Sequence, residues 1–409
     1  EQTSEGIKIL PEYMDKDDYG FVFQKNSSLT NQFNERITYY KSVNIIKELE
    51  DKWFSDLGHP NKEIPTQDSS IGYIRTIRAA TTALLEPMTY LNNKNEVIGF
   101  EVELLTMICN DLNYKLEIID PFSSFGSVIA AVDTGQADLA FNTISITDER
   151  KASLDLTVPY YEGAAVVMVK NGVKPNRNFF ESIGNSFYRT FVVEQRWKMI
   201  LEGMLVTLVI SLCSGVIGLL LGFGLCMIRR GKNKPLNGVV KVIVKLIQGT
   251  PIVVFLMIMY YVIFGKIDIP AVLVAILAFG INFGVYASEI MRSGFEGTDK
   301  GQEEAARAMG YSKMQTFWKI TFPQAAKKFL PVLRGEFISM VKMTSVAGYI
   351  SVMELTRIGD IIRSKTMEAF FPLIVIALIY FGLAELLTFG LTKLEKQLDA
   401  KNKPFKLKG

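Results

Sequence analysis

The stretch "EEAARAMGYSKMQTFWKITFP", residues 303–323, is charged and rich in small residues, yet it lies between runs that read as hydrocarbon-facing helix. Its local signals describe two short helices meeting at a corner. Asp299 with Gln302, and Ser312 with Gln315, each make a capping pattern at a helix start. Gly310 stands where a helix ending left-handed wants a residue without Cβ, and Pro323 is expected to stop the second helix. Ala305, Ala306 and Ala308 keep one side thin, while Phe317 and Trp318 supply a bulky anchor. Thin helix, sharp corner and aromatic knob make a docking shape. Taken alone, an ordinary amphipathic loop accounts for the same residues.

The flanks say where this loop lies. Residues 205–228 carry no charge and are long enough to span a bilayer. Arg229, Arg230, Lys232 and Lys234 follow at once, and such clusters mark the cytoplasmic side. Residues 246–265 and 269–288 give two more uncharged runs, and 369–392, with only Glu385 inside, gives the last. The run 329–350 is interrupted by Arg334, Glu336 and Lys342, which a helix tolerates when it lines a polar path. Counted as a span, it brings the total to five. The N-terminal half is then extracytoplasmic, and residues 292–328 and the basic tail "KLEKQLDAKNKPFKLKG" are cytoplasmic. This is the topology of a multi-pass protein of a cell membrane, in contact with lipid.

Charge divides the chain in the same place. Residues 1–170 hold 15 Lys and Arg against 26 Asp and Glu, whereas residues 171–409 hold 30 against 16. An acidic front and a basic, apolar back fit two environments in one chain. The 3 cysteines and 1 histidine leave little room for metal or thiol chemistry. Cys213 and Cys226 share one apolar run, where a helix would hold them about 20 Å apart, and His59 in "DLGHPNKE" lacks ligand partners. No metal site, cofactor or nucleic-acid partner is expected in this chain. It opens on Glu1 without a signal segment, as a processed or truncated product would.

Spacing adds a further observation. Glu304-Ala305-Ala306, three residues, Gly310, nine residues, Ile320, one residue, Phe322 and Pro323 resembles the E-A-A-x3-G-x9-I-x-L-P coupling loop of ABC-importer permeases, with Phe322 in place of Leu. The resemblance extends over roughly residues 195–395 through "GTPIVVFLMIMYY", "YASEIMRSGF", "EFISMVKMTSVAGYI" and "MELTRIGD", and is to the polar-amino-acid uptake branch. It implies an all-α transmembrane domain over 196–397, a coupling loop over 299–323 and a cytoplasmic tail over 398–409. In that family the loop inserts into a separate ATPase, which carries the ATP and Mg. The chain has no phosphate-cradling G-x-x-x-x-G-K-[ST] loop of its own, so it is expected to be a transport subunit and not an enzyme. The family's K-D-T-S segment reads here as Lys342-Met343-Thr344-Ser345, without the acid. Lys342, Thr344 and Ser345, with Glu289 and Glu336, are the candidate substrate path. A structural ion pair between Lys342 and an acid on a neighbouring helix is the alternative.

The front half alternates short apolar strands with helices, an α/β pattern. Residues 73–170 resemble the first lobe of periplasmic amino-acid-binding proteins through "GFEVELL" and "AVDTGQADLAFNTISITDERKASLDLTVPYY". The resemblance implies that Arg150 forks onto a ligand α-carboxylate, with Ser145 and Thr147 beside it; a surface pairing with Asp148 or Glu149 is the alternative. Where the family places aromatic rings, this chain has Leu85 and Met88 in "LEPMTY", so a cationic ligand loses its cation–π surface. Residues 1–56 resemble the other end of such a protein, 57–72 form a linker, and 171–195 lead to the membrane. With no second lobe, the module cannot close around a ligand. Either a binding protein has been lost upstream, or residues 19–56 and 73–170 join as one permuted lobe. The joined lobe is the expected arrangement, with the returning strand Tyr19–Gln24 beside Gly163–Val169.

The expectation is therefore an extracytoplasmic α/β lobe plus a five-helix ABC permease domain. It would be a homodimeric or paralogue-paired subunit importing an amino acid. A glutamate-receptor-like channel and a binding-domain sensor are the rivals. The first would want a re-entrant pore segment and two lobes, the second a cytoplasmic signalling domain.

Overall fold

The computed structural model describes residues 7–55, 64–67, 72–92, 94–119, 122, 124–170, 179–265, 267, 269–366, 368 and 370–401. His59 and much of the 57–72 linker lie outside them. Contacts divide the chain into two units. The first holds Glu1–Gly203 with Tyr260–Asp268 and Gly348–Ile374; the second holds Met204–Met259, Ile269–Ala347 and Val375–Gly409.

The first unit is α/β. Its strands are β1 (Ile7–Tyr19), β2 (Val22–Gln24), β3 (Arg75–Ala80), β4 (Leu84–Leu85), β5 (Thr89–Leu91), β6 (Val97–Ile98), β7 (Tyr114–Ile118), β8 (Leu139–Ala140), β9 (Leu154–Leu156) and β10 (Tyr161–Lys170). Its helices are α1 (Leu29–Ser42), α2 (Ile45–Phe54), α3 (Phe100–Asp111), α4 (Phe125–Asp133), α5 (Asp148–Ser153) and α6 (Phe179–Phe187). Five strands form one sheet in the order β7-β3-β8-β2-β9, so β2 from the first piece of sequence sits between two strands of the second. Phe21, Val22 and Phe23 are fully buried, as a strand with neighbours on both sides requires. The core draws on both pieces: Phe33, Ile37 and Trp53 pack with Ile77, Phe100, Leu104 and Tyr160.

One register differs from expectation. The strand beside β10 is β1, with Tyr19 opposite Tyr161 and Asp17 opposite Gly163. Val22 and Phe23 instead pair with Leu156 and Asp155. The chain turns at Gly20, whose N–H donates to Ile144 O at 3.0 Å. The charged run Asp15–Asp18 suits a two-stranded ribbon, whereas the apolar Phe21–Phe23 suits a central strand.

The helical part follows: α7 (Arg196–Arg230), α8 (Lys234–Gln248), α9 (Ile252–Met257), α10 (Ala271–Glu296), α11 (Lys300–Ala308), α12 (Lys313–Thr316), α13 (Phe322–Met343), α14 (Leu355–Thr366) and α15 (Phe371–Lys401). Among the described residues, 3 helical stretches are long and apolar enough to cross a membrane: Ile183–Arg230, Ala271–Glu296 and Phe371–Gln397. The run 246–265 is broken, because α8 and the helix from Ile252 bend by 109° across Gly249-Thr250-Pro251. Proline lacks the donor that would carry the helix through. α13, with its internal charges, is the remaining long helix.

α7 and α10 touch backbone to backbone. A Cβ on Gly218 would lie 2.8 Å from Gly280 O, and one on Gly222 would lie 2.7 Å from Gly284 O. Small residues four apart on both helices allow this approach, a usual means of helix association where lipid offers no hydrophobic drive.

Candidate functional site

The corner at residues 299–323 folds largely as its caps dictate. Asp299 begins α11, its Oδ1 accepting from Gly301 N at 2.8 Å. Ser312 and Gln315 form a reciprocal capping box, at 3.3 Å and 2.9 Å. Gly310 has φ +90°, and Tyr311 N reaches back to Ala306 O at 3.2 Å, closing α11 left-handed. Pro323 does not stop the second helix. Residues Phe317–Thr321 form a π turn in which Phe322 N donates to Phe317 O, and α13 starts at once with Pro323 in its first turn. The wider turn absorbs the proline's missing donor.

An aromatic cluster anchors this corner within the second unit. Phe317 stacks on Phe295 with centroids 5.6 Å apart, and Phe322 lies 5.1 Å from Trp318 and 6.1 Å from Phe329. Ala306 is buried, Ile320 and Pro323 are half-buried, and Glu304, Ala305 and Gly310 are exposed. Beside them Met309, Met314 and Trp318 are 71%, 66% and 50% exposed. The corner is thus a rigid base carrying a bare carboxylate and three large apolar side chains.

In the first unit the structure brings Ser145, Thr147 and Arg150 together. Thr147 Oγ1 caps α5 by accepting from Arg150 N at 3.3 Å, and Arg150 Nη1 donates to Ser145 O at 2.7 Å. The guanidinium also lies over the Phe125 ring, 5.0 Å from its centroid. Neither Asp148 nor Glu149 pairs with it among the described residues; Lys151 takes Asp148, at 3.5 Å.

Two neighbouring features were not singled out from sequence. Asn142 Oδ1 gathers Thr82 N at 3.1 Å, Thr82 Oγ1 at 2.6 Å and Thr81 Oγ1 at 3.2 Å. Glu101 is fully buried; its Oε1 accepts from Thr143 N at 2.7 Å and from Tyr160 OH. Burial pushes its carboxyl up to about 7, against the pull of those two donors. An acid inside "GFEVELL", an apolar helix start, was the available signal.

The five membrane candidates do not form one site within this chain. Glu289 is paired with Arg229, and with Arg292 at 3.0 Å. Phe283 faces Phe337 and Gly294 faces Phe329, so α10 and α13 run antiparallel. That register sets Lys342 some 15 Å along the axis from Glu289. Glu336 and Ser345 are half-buried, Lys342 is exposed, and Thr344 is buried with its hydroxyl on Val341 O at 2.7 Å.

The first unit also gathers residues that the sequence places far apart. Gln136 Nε2 donates to Tyr260 O at 2.7 Å, and Tyr261 OH to Ser127 O at 3.3 Å. From α14, Arg357 donates to Thr82 O and Ser364 to Leu84 O. The helix lies along the segment that follows β3.

Comparison with known proteins resolves what the helical part is. The family described as binding-protein-dependent transport system inner membrane component matches residues 214–399. A putative glutamine transport system permease protein GlnP from Rickettsia conorii is 33% identical over 202 residues, 49% of this chain and 92% of that protein. The L-cystine transport system permease protein TcyB of Bacillus subtilis is 30% identical over 220 residues, covering 53% and 94%. The arginine permease protein ArtQ of the same organism is 33% identical over 211 residues, covering 49% and 93%. The chain belongs to this family of transport-system inner membrane components. A solved amino acid ABC transporter with histidines is 30% identical, with TM-score 0.47 over 55% of this chain and 100% of that one.

The chain is accordingly an integral membrane permease subunit of an ABC importer and not itself an enzyme. For such a subunit, groups that bind, orient and transmit matter more than groups that react.

Proposed function

We propose that the chain is the permease subunit of an ATP-driven amino-acid importer. A separate cytoplasmic ATPase, holding the ATP and Mg, drives it through the 299–323 loop. Two copies form the transport unit in the bacterial cytoplasmic membrane. The α/β unit stands on the outer face as a tethered binding-protein-like lobe. The relatives named for glutamine, cystine and arginine support an amino acid as cargo.

The observation that carries the reading is the corner itself. Glu304 and the Met309, Met314 and Trp318 side chains project from a short helix pair pinned by Phe295, Phe317, Phe322 and Phe329. A groove on a partner can move such a corner as a body, because the aromatic packing passes displacement into α10 and α13. Polar segment and apolar knob together want a groove with an apolar floor and a basic or polar rim. Neither a channel nor a sensor has use for such a projection.

The test is co-purification with a partner ABC ATPase, reconstitution in liposomes, and a thermal-shift screen of the twenty amino acids followed by uptake. Amino-acid-stimulated ATP hydrolysis with uptake is expected. Uptake that runs without the ATPase, or ATPase binding that survives removal of residues 303–318, would overturn it.

A further inference from the structure

α14 places a cation where its bonding is incomplete. Arg357 is 1% exposed, and its Nη2 donates to the backbone carbonyl of Thr82. Its Nε and Nη1 are buried and meet no hydrogen-bond acceptor among the described residues. The near acid is Glu354, whose carboxylate accepts from Thr356 N at 2.7 Å and from Arg357 N at 2.8 Å, so it caps the helix. Burial lowers the guanidinium to about 10, and Asp360 and Glu354 offset this only in part. α14 packs closely against Gly203: a Cβ there would lie 2.8 Å from Ile358 Cγ1 and 3.1 Å from Leu355 Cα.

A buried guanidinium whose acceptor is one neutral carbonyl is an under-satisfied charge. A carboxylate is its stronger partner, because it brings the opposite charge and can accept two parallel N–H bonds from the planar guanidinium at once. The carbonyl it now holds belongs to Thr82, whose N–H and hydroxyl are tied to Asn142 on the candidate binding face of the lobe. A carboxylate that takes the place of the Thr82 carbonyl at Nη2 releases the segment that Asn142 holds. Ser364, two turns further along α14, holds the same lobe segment at Leu84.

We propose that Arg357 is a receiving site for the α-carboxylate of the amino-acid substrate, taken in exchange for the Thr82 carbonyl. Substrate at Arg357 and the lobe seated on α14 then exclude one another. By linkage, each weakens the other by the same factor. The site hands substrate from lobe to permease, and it rests on the amino-acid import reading above.

The experiment uses the permease with its ATPase in liposomes, with cysteines introduced as Leu84→Cys and Ser364→Cys. Cross-link yield reports the seated lobe. The probes are a mixture of the twenty amino acids and the same mixture as α-methyl esters. The amino acids should lower the yield several-fold and the esters should leave it unchanged. Arg357→Gln, which retains a donor for Thr82, should abolish that response and raise the uptake KM by roughly tenfold or more. Should Arg357→Gln fail to fold, Arg357→Lys carries the test: its single ammonium should bind more weakly and respond to the amino acids only in part. An unaltered KM in either folded variant overturns the site. So does a yield indifferent to amino acids while uptake proceeds. Absence of uptake in the unmutated complex overturns the import reading, and the site with it.

Discussion

Trp53 and Glu103 meet inside the α/β unit, the indole Nε1 donating to Oε2 at 2.6 Å, with Lys52 Nζ 2.7 Å from Oε1 of the same carboxylate. The contact joins α2 to α3 across the linker, and so ties the two pieces of sequence into one body. Glu103→Ala removes an acceptor shared by two donors, one in a buried pair. It should cost about 2–3 kcal/mol. Hydrogen exchange across residues 45–54 and 100–111 should rise together, whereas Glu103→Gln should give a smaller rise. Exchange confined to one helix would mean that the pieces are not coupled.

Glu101 predicts a pH dependence of known sign. Its carboxyl is raised by burial from 4.5 to about 7, so the folded unit holds a proton that the unfolded chain has released. Its contribution is complete below the unfolded value near 4.5 and is lost as pH rises through about 7. That interval corresponds to roughly 3 kcal/mol. Exchange-derived stability of the segment around Thr143 should fall over this window. Glu101→Gln, which keeps an acceptor for Thr143 N and Tyr160 OH, should be flat there. A wild-type profile as flat as the variant's would count against the buried acid.

Some of this molecule was legible in sequence, and the reasons are local. Ser312, Gln315 and Gly310 announce their geometry within a few residues, because caps and left-handed turns are short-range devices. Pro323 misled for the same reason: the π turn that accommodates it depends on Phe317 packing against Phe295. The strand neighbouring β10 comes from the expected piece of chain, but it is Ile7–Tyr19 and not Tyr19–Gln24, since pairing depends on which apolar run the sheet centre accepts. Arg357 stood in the quoted "MELTRIGD" without a role, because the carbonyl it meets is 275 residues earlier. No periodicity encodes such a contact.

Gly310 separates backbone from side-chain requirements. A Cβ there would meet nothing within 4 Å, yet φ is +90°. Substitution should therefore act through strain alone. Gly310→Asn, a residue that tolerates this region, should retain most ATPase coupling. Gly310→Val should lose it while the protein still inserts in the membrane. Equal coupling in both variants would remove the corner from the mechanism. Glu304→Lys tests the exposed charge independently and should also abolish coupling.

Gly218 and Gly284 set the distance between α7 and α10. A Cβ on Gly218 would lie 2.6 Å from Phe283 Cδ1, and one on Gly284 would lie 3.0 Å from Gly218 O. Gly218→Leu should force the helices apart and lower the thermal midpoint of the detergent-solubilised protein by several degrees. Gly224→Leu, on the same helix with nothing within 4 Å of its Cβ, should change it little. A similar fall in both would count against close approach as the cause, since Gly→Leu by itself raises helix propensity.

Lys342 ends α13, exposed and without an ion-pair partner among the described residues. A lone charge at bilayer depth costs about 2.5–3.5 kcal/mol on insertion scales, so an exposed lysine beside an apolar helix face wants a polar surface outside this chain. The candidates are a second copy's acid and the carboxylate of the cargo. Lys342→Met distinguishes them. If the ammonium binds cargo, uptake should fall at least tenfold through a raised KM, while the thermal midpoint of the assembled complex holds or rises, because a desolvated charge has been removed. If it pairs with a second copy, the midpoint should drop and the dimer should dissociate at lower detergent, with KM unaltered in what remains assembled. Lys342→Arg sharpens the choice. An interfacial ion pair accepts the larger cation with little loss, whereas a site shaped for a small zwitterion should not. Unchanged uptake and unchanged stability in Lys342→Met would exclude both roles and return Lys342 to the headgroup region.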